Sequence, residues 1–232
     1  MLFRSGGVGS WAVEALARSG VAQLVLIDLD HVSESNVNRQ IQALGATLGL
    51  SKAEALARRI ADIHPGCDVR CVEEFADADN WPGLLPGEVD AVIDACDQSK
   101  AKLALAAWAR RTGTAFVTCG AAGGKRRAER LEIDDLHATT HDPLLASLRQ
   151  RLRSQHGAPR SGKMGVRCVF SRESVAPPEP EEAACGIDDE PGVSAQAQRD
   201  NTLNCHGYGS TVVVTASFGM AAAGEVIAQL LK

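Results

Sequence analysis

The chain has 232 residues, 45% of them hydrophobic, with seven cysteines and a formal net charge of −5. At this length a fold buries roughly 70–75% of its unfolded surface, so the core requires no disulfide or metal staple. The mild acidity gives no electrostatic ground for a nucleic-acid partner, and no C-x-x-C pair marks a zinc site. Met1 runs almost directly into a glycine loop with no secretory leader, so we expect reduced cysteines in a cytosolic setting.

Residues 1–3 read as the end of a strand, 4–10 (RSGGVGS) as a glycine loop, and 11–18 as a helix with Ala12, Val13, Leu16 and Ala17 on one face. Gly20 closes that helix. Residues 24–27 form a buried strand that turns polar at Asp28. Strand, glycine turn, helix and strand make a βαβ unit with a right-handed crossover. The alternation continues with a helix at 52–63, stopped by Pro65 and Gly66, and a short strand at 68–72. A buried strand at 89–93 leads into Asp94 and Asp97, followed by a helix at 99–111 and a strand at 114–118. This rhythm predicts an α/β fold: a Rossmann-like, doubly wound, mostly parallel sheet with helices on both faces. Residues 120–124 are a second glycine-rich turn at a carboxyl strand end, where such sheets bind ligands.

Beyond Lys125 the rhythm changes. Residues 128–133 fit a strand. Asp142 and Pro143 start a helix over 143–153, since Asp caps free amides and Pro suits the first turn. Another strand fits 166–170. Residues 174–204 carry Pro177, Pro178, Pro180 and Pro191 among acids and read as a long loop. The final apolar stretch, 211–231, is about long enough to span a bilayer. Glu225, Thr215 and Ser217 within it favour an extended piece and then a helix packed on the sheet or on a dimer partner. Membrane association through 211–231 stays open.

Charge is unevenly spread. Six basic residues and no acidic one lie in 147–167 (Arg149, Arg151, Arg153, Arg160, Lys163 and Arg167), and seven acidic residues and no base in 173–190. Each run reads either as a solvated surface or, for the basic one, as a polyanion contact.

Several residues point to nucleotide chemistry. Gly6, Gly7 and Gly9 precede a helix, whose first amides and positive end bind anions. Asp28 lies 19 residues after Gly9, the spacing at which an acid meets a ribose. That much is shared with NAD enzymes, and the glycines alone also read as tight packing. Asn36, Arg39 and then Lys52 follow, and two cations near the loop suit a triphosphate. Asp97 after its strand suits a magnesium ion bridging phosphates. Singly, Lys52 also reads as an exposed helix-start lysine and Asp97 as a helix cap.

The series GGVG, LIDLDHVSESNVNRQ, Lys52 with its helix and VIDACD resembles the family of ubiquitin-activating, molybdopterin-synthase-activating and thiamine-pathway adenylyltransferases. Within it, GGVGSWAVEALARSG, NRQIQAL, GLSKAEALARRI, DPLLASLRQRL, GVRCVFSRE and TVVVTASFG resemble the branch that acts on threonylcarbamoyl-modified adenosine in tRNA. The resemblance spans nearly the whole chain. It implies one domain over 1–232, with an ATP-binding half (1–124) and a substrate or dimer half (125–232).

The reaction it implies is an ATP-dependent dehydration, in which a carboxylate is adenylated and a ring then closes with loss of AMP. It further implies Gly6, Gly7 and Gly9 as nucleotide loop and Asp28 on the ribose. Asn36, Arg39 and Lys52 would lie on the phosphates, with Arg39, Lys52 and Asp97 catalytic and Asp97 on Mg2+. Arg149, Arg151 and Arg153 become the candidate tRNA contact. ATP and Mg2+ are the implied cofactors, with room for a monovalent cation near 120–124 and no zinc. The implied partners are tRNA, a second copy of the chain, and a cysteine desulfurase with its sulfur acceptor.

The sequence departs from that pattern at its start. The leading segment of the relatives is missing, only residues 1–3 stand where about five or six strand residues are usual, and Arg4 replaces the first loop glycine. The expectation is weak activity, or a non-catalytic remnant. Cys185 and Cys205 flank the acidic loop as ordinary thiols or a sulfur acceptor, and His206 adds too little for a nucleophile. An activator of a ubiquitin-like sulfur carrier and an NAD(P)-dependent oxidoreductase are the competing readings. The first usually carries zinc cysteines, and the second gives Arg39, Lys52 and Asp97 no task.

Overall fold

In the computed structural model, residues 2–3, 6–175 and 209–232 are described. Arg4, Cys185, Cys205, His206 and all of the 174–204 loop except Ser174 and Val175 lie outside them. In chain order the elements are β1 (Leu2–Phe3), α1 (Gly7–Arg18), β2 (Gln23–Ile27), α2 (Lys52–Ile63), β3 (Asp68–Val72) and β4 (Ala91–Asp94). There follow α3 (Ser99–Thr112), β5 (Ala115–Cys119), β6 (Leu131–Asp135), α4 (Pro143–Gln155), β7 (Arg167–Ser171) and α5 (Val212–Leu230). One seven-stranded sheet runs β3-β2-β1-β4-β5-β7-β6. All its pairings are parallel except that of β6 with β7. The strand order reverses between β1 and β4, which opens a crevice at their carboxyl ends. Although β1 has two residues, it pairs on both sides, Phe3 with Ile27 and with Asp94.

The period-2 pattern of the strands feeds two cores. Val25, Ile27, Val92 and Phe116 face α3, α4 and Trp81. Leu24, Leu26, Ile93 and Val117 face α1, α2 and α5. Both faces of the sheet are therefore covered, as a parallel sheet requires. Local chemistry explains the helix ends. Ser51 Oγ accepts the Glu54 amide to start α2, and Asp142 Oδ1 accepts the Leu145 amide, with Pro143 in the first turn, to start α4. Gly113, with φ +77°, ends α3.

Three expectations change. First, α1 begins at Gly7, so Gly7 and Gly9 belong to the helix and only Gly6 precedes it. Without a side chain, Gly7 lets the first turn approach Thr215 and Arg39. Second, residues 128–130 form a 3-10 turn, and the strand starts at Leu131. Third, 212–230 is one continuous helix with no extended lead-in. Its β-branched start, VVV, suggests a strand, but burial of Val214, Phe218, Ala222 and Val226 against α1 and the sheet overrides that propensity. By length and composition α5 also qualifies as a bilayer span, with Glu225 paired to Arg167 at 2.9 Å.

Candidate active site

A cavity of about 400 Å³ occupies the crevice. Its walls come from four strand ends: Gly6, Gly7 and Val8 after β1, Asp30 to Gln40 after β2, Ala95 to Asp97 after β4, and Gly120 to Gly123 after β5. Ser210 and Thr215 close it from α5 and the residues before it. The amino end of α1 opens into this space. Gly6 offers no side-chain cap and the first turn holds no acid, so the amides and the helix dipole present a positive end. A Cβ on Gly7 would sit 3.0 Å from Thr215 Cγ2 and 3.5 Å from Arg39 Cδ, so glycine is what lets these three parts meet.

Six of the sequence-derived residues come together here: Gly6, Gly7, Asn36, Arg39, Lys52 and Asp97. Arg39 is half-buried and fixed at both ends. Its Nη1 donates to Ser35 O (2.6 Å) and Asn38 Oδ1 (2.9 Å), and its carbonyl accepts from Trp11 Nε1 (3.0 Å) and Thr215 Oγ1 (3.1 Å). Burial draws its pKa below the usual arginine value, which still leaves it protonated. Asn36 is buried, and its Oδ1 accepts the Ser33 amide at 3.1 Å, so it shapes the turn as well as lining the cavity. Lys52 is the first residue of α2. Its amide donates to Asp30 O (2.9 Å) and its ammonium to Asp30 Oδ2 (2.8 Å). Asp97 sits half-buried on the β4 side.

Two expected residues do not line the cavity. Gly9 is buried inside α1. Asp28 is 1% exposed, and its Oδ1 accepts the Asp30 amide at 2.9 Å. At this strand end the cavity is faced by Asp30, two residues on. The LIDLD sequence holds both acids, and the glycine-to-acid spacing does not record that Asp28 lies under the cavity wall, where it holds the amide of Asp30.

Beneath the floor lies a group that sequence reasoning missed. Lys102 of α3 is fully buried, and its ammonium donates to Asp94 Oδ2 (2.7 Å), Thr118 Oγ1 (2.8 Å) and Cys119 O (2.9 Å). Asp94 Oδ1 in turn accepts the amide and thiol of Cys96, at 3.0 and 2.8 Å. Burial alone would lower the Lys102 pKa, but Asp94 outweighs it and holds the ammonium charged. Burial also pushes the Cys119 thiol up to about 12, so it stays neutral. This network sets the path of 95–97, the loop that carries Asp97. A lysine three residues into an apolar helix reads as exposed, and only the fold turns it inward.

The second glycine turn is held from the α4 side. Asp142 Oδ2 accepts the Ala121 amide at 2.8 Å, and a Cβ on Gly120 would overlap this carboxylate. Lys125 is 1% exposed, and its ammonium meets the carbonyls of His141 (3.0 Å) and Glu173. The chain thus supplies a positive charge of its own beside the 120–124 turn.

The three arginines of α4 do not form one surface. At about 100° per residue, Arg149 and Arg153 share one flank of the helix and Arg151 lies on the other. Arg149 Nη1 donates to Leu136 O, Thr139 O and Thr139 Oγ1 at 3.1, 2.9 and 2.9 Å, and Arg153 Nε to Pro159 O at 3.1 Å. Two of the three therefore also hold backbone in place, and the three are spread over two flanks of the helix and not over one.

Comparison with known proteins adds to the geometry. The profile of the ThiF family matches residues 3–232. The chain is 41% identical over 229 residues to the tRNA threonylcarbamoyladenosine dehydratase of Escherichia coli (strain K12), covering 97% of this chain and 83% of that protein. It is 38% identical over 230 residues to the dehydratase of the same description from Haemophilus influenzae, covering 98% and 83%. Among solved structures, the E. coli dehydratase in complex with ATP superimposes with a TM-score of 0.84 at 38% identity, over 99% of this chain and 84% of that one. The same enzyme in complex with AMP gives 0.83, with the same identity and coverage.

Proposed function

This chain belongs to the ThiF family, and we propose that it is an adenylate-forming enzyme that dehydrates threonylcarbamoyladenosine in tRNA at the expense of ATP. One observation carries the reading: the nucleotide-sized cavity gathers a helix amino end, Arg39, Lys52 and Asp97 from successive strand ends, in a chain 41% identical to a dehydratase of that description.

The reaction has two steps. The carboxylate of the threonylcarbamoyl group attacks the α-phosphorus of ATP, and pyrophosphate leaves. An atom of the same side chain then attacks the acyl carbon and loses its proton, the ring closes, and AMP leaves with the former carboxylate oxygen. The net change in the nucleoside is loss of one water. In this reading the α1 amino end and Arg39 bind the phosphates, and Lys52 adds charge where negative charge accumulates on the leaving pyrophosphate. Asp28 and Asp30 would serve the ribose from the end of β2, Asp28 by holding the Asp30 amide and Asp30 from the cavity wall, where it also pairs with Lys52. Asp97 would hold Mg2+. With Asp30 paired to Lys52, a single carboxylate ligand from Asp97 would fit an ion that takes most of its ligands from phosphate and water, and the ion would neutralise phosphate charge.

We also read the protein as cytoplasmic, where its tRNA substrate is, and as a homodimer. The outward stripe of α5 (Val213, Met220, Gly224 and Ala228) is exposed and uncharged, which suits a second copy better than water. The test of function is incubation with ATP, Mg2+ and native tRNA, followed by mass spectrometry of the digested nucleosides. Loss of one water, matched by AMP and pyrophosphate, is the expected result. An unchanged nucleoside together with adenylation of a sulfur-carrier protein would replace this reading with the carrier-activating one.

A further inference from the structure

We propose that a second cavity, behind the nucleotide site, receives an RNA nucleotide next to the modified adenosine, with His141 stacking on its base and Arg149 binding its phosphate. This rests on the dehydratase reading and names the part of the substrate that lies outside the ATP cavity.

The second cavity, of about 320 Å³, is lined by Thr139, Thr140, His141, Asp142, Arg149 and Ser174 among others. Its wall is shared with the first. Asp142 and Pro143 face the second cavity, whereas Ala121 and Leu144 face the first. The two are stitched together by Asp142, whose Oδ2 accepts the Ala121 amide (2.8 Å) and whose Oδ1 accepts the Leu145 amide (2.9 Å). Both oxygens of that acid are thus occupied by N–H donors, and the cavity's other polar groups include hydroxyls, an imidazole and a guanidinium. Such a lining favours an anion with a flat polar base. A base that delivers its carboxylate to ATP must lie at the mouth of the first cavity, so its neighbour in the strand falls within one backbone step.

Two side chains there keep capacity beyond the contacts they make in the fold: among the described residues His141 pairs through Nδ1, with Thr140 Oγ1 at 2.9 Å, and presents its ring to solvent. Among the described residues, the hydrogen bonds of Arg149 all leave from Nη1. Its Nε and Nη2 keep N–H groups in the fork geometry that suits phosphate. His141 is exposed and has φ +58°, a backbone conformation that a β-carbon disfavours and glycine adopts freely. That conformation is imposed from outside, by Lys125 on the His141 carbonyl (3.0 Å) and by the capping role of Asp142. Keeping an imidazole where glycine would be less strained is explained by a task for the ring. Loop bases of RNA are recognised by stacking on such side chains.

The position supplies its own clean variant. His141→Gly removes the ring and relieves the strained φ, so the melting temperature should hold or rise. Its KM for tRNA should rise about five- to tenfold with the KM for ATP unchanged, the loss of about one stacking contact. Arg149→Gln should weaken tRNA and flatten the salt dependence by about 0.7 in log–log slope, the share of one single-strand phosphate. Arg149→Lys should restore the slope but not the affinity. Equilibrium binding of an anticodon stem-loop RNA that carries threonylcarbamoyladenosine, measured alongside its turnover with ATP, separates the two levels of inference. If the wild type binds this RNA without dehydrating it and the variants bind more weakly, the dehydratase reading fails and the RNA cavity stands. If His141→Gly and Arg149→Gln bind the RNA as the wild type does, or the wild type does not bind it, the cavity proposal is overturned.

Discussion

Arg39 and Lys102 are both cations held by several acceptors, yet removing each should have a different consequence. Arg39 lines the cavity and is buried only in part. If its charge meets the triphosphate, Arg39→Ala in an active preparation should slow adenylation by about 10²–10³ with little change in unfolding. A near-wild-type rate in a pyrophosphate-release assay would remove it from the mechanism. Lys102 is out of reach of any ligand but neutralises Asp94 in the dry interior. Lys102→Met leaves that carboxylate uncompensated and should cost about 3–5 kcal/mol in urea unfolding, whereas Lys102→Met with Asp94→Leu should recover part of the loss. Equal destabilisation by the single and double variants would show that the pair itself, not the stranded charge, carries the effect. The sequence made Arg39 legible through its neighbours in SNVNRQ. Lys102 was not legible, because a lysine in an alanine-rich helix looks the same from either side.

At the scale of elements, α1 and α5 meet more closely than ordinary side chains permit. A Cβ on Gly219 would lie 2.7 Å from Trp11 Cβ and 2.8 Å from the Ala12 amide, and closer still to the Val8 carbonyl. Two of those neighbours are helix backbone and the third, Trp11 Cβ, is bonded directly to it, so none can yield. Gly219→Ala should therefore destabilise by about 1–3 kcal/mol or more, and because Thr215 and Gly7 share this contact, nucleotide affinity should fall with it. Calorimetric melting with and without ATP tests both parts, and an unaltered melting curve would refute the close packing. The helices α2 and α4 were readable to within two residues because their caps, Ser51 and Asp142 with Pro143, are local devices. The starts of α1 and α5 were not, since glycines and β-branched residues contradict helix propensity and only tertiary contact reverses it.

For the whole molecule, stability should fall in acid through two carboxylates that do not line the cavity. Burial alone would raise the Glu14 pKa, but hydrogen bonds from Arg59 (2.6 Å) and Arg18 (2.7 Å) bring it below its ordinary value. Asp135 follows the same pattern, its burial outweighed by amides of His137, Met164 and Gly165 that tie β6 to the loop before β7. With the folded pKa values depressed, the unfolded chain takes up protons first as pH falls. The stabilisation is complete above the ordinary carboxyl range, about pH 4–5, and is lost as pH drops through the lower folded values. The urea midpoint should decline below about pH 4, and Asp135→Asn should flatten that decline; a midpoint independent of pH there would exclude both groups. Assembly belongs to this scale too. Val213 and Met220 are 57% and 44% exposed on an uncharged stripe. Met220→Asp should convert a dimer to a monomer in sedimentation, and a wild-type monomer would sink the dimer proposal.

The sequence by itself determined the order and kind of most elements, the doubly wound sheet, and the set Asn36, Arg39, Lys52 and Asp97. These follow from local caps, from hydrophobic period, and from polar residues placed just after buried strands, all of which are properties of neighbouring residues. The tertiary structure alone decided that Asp30 and not Asp28 faces the cavity, that Lys102 and Lys125 point inward, and that the α4 arginines diverge. It also placed His141 and Arg149 around a second cavity beside the first. Each of these depends on where a side chain ends relative to chain far away in sequence, and burial and charge pairing across such distances leave no periodic trace along the chain.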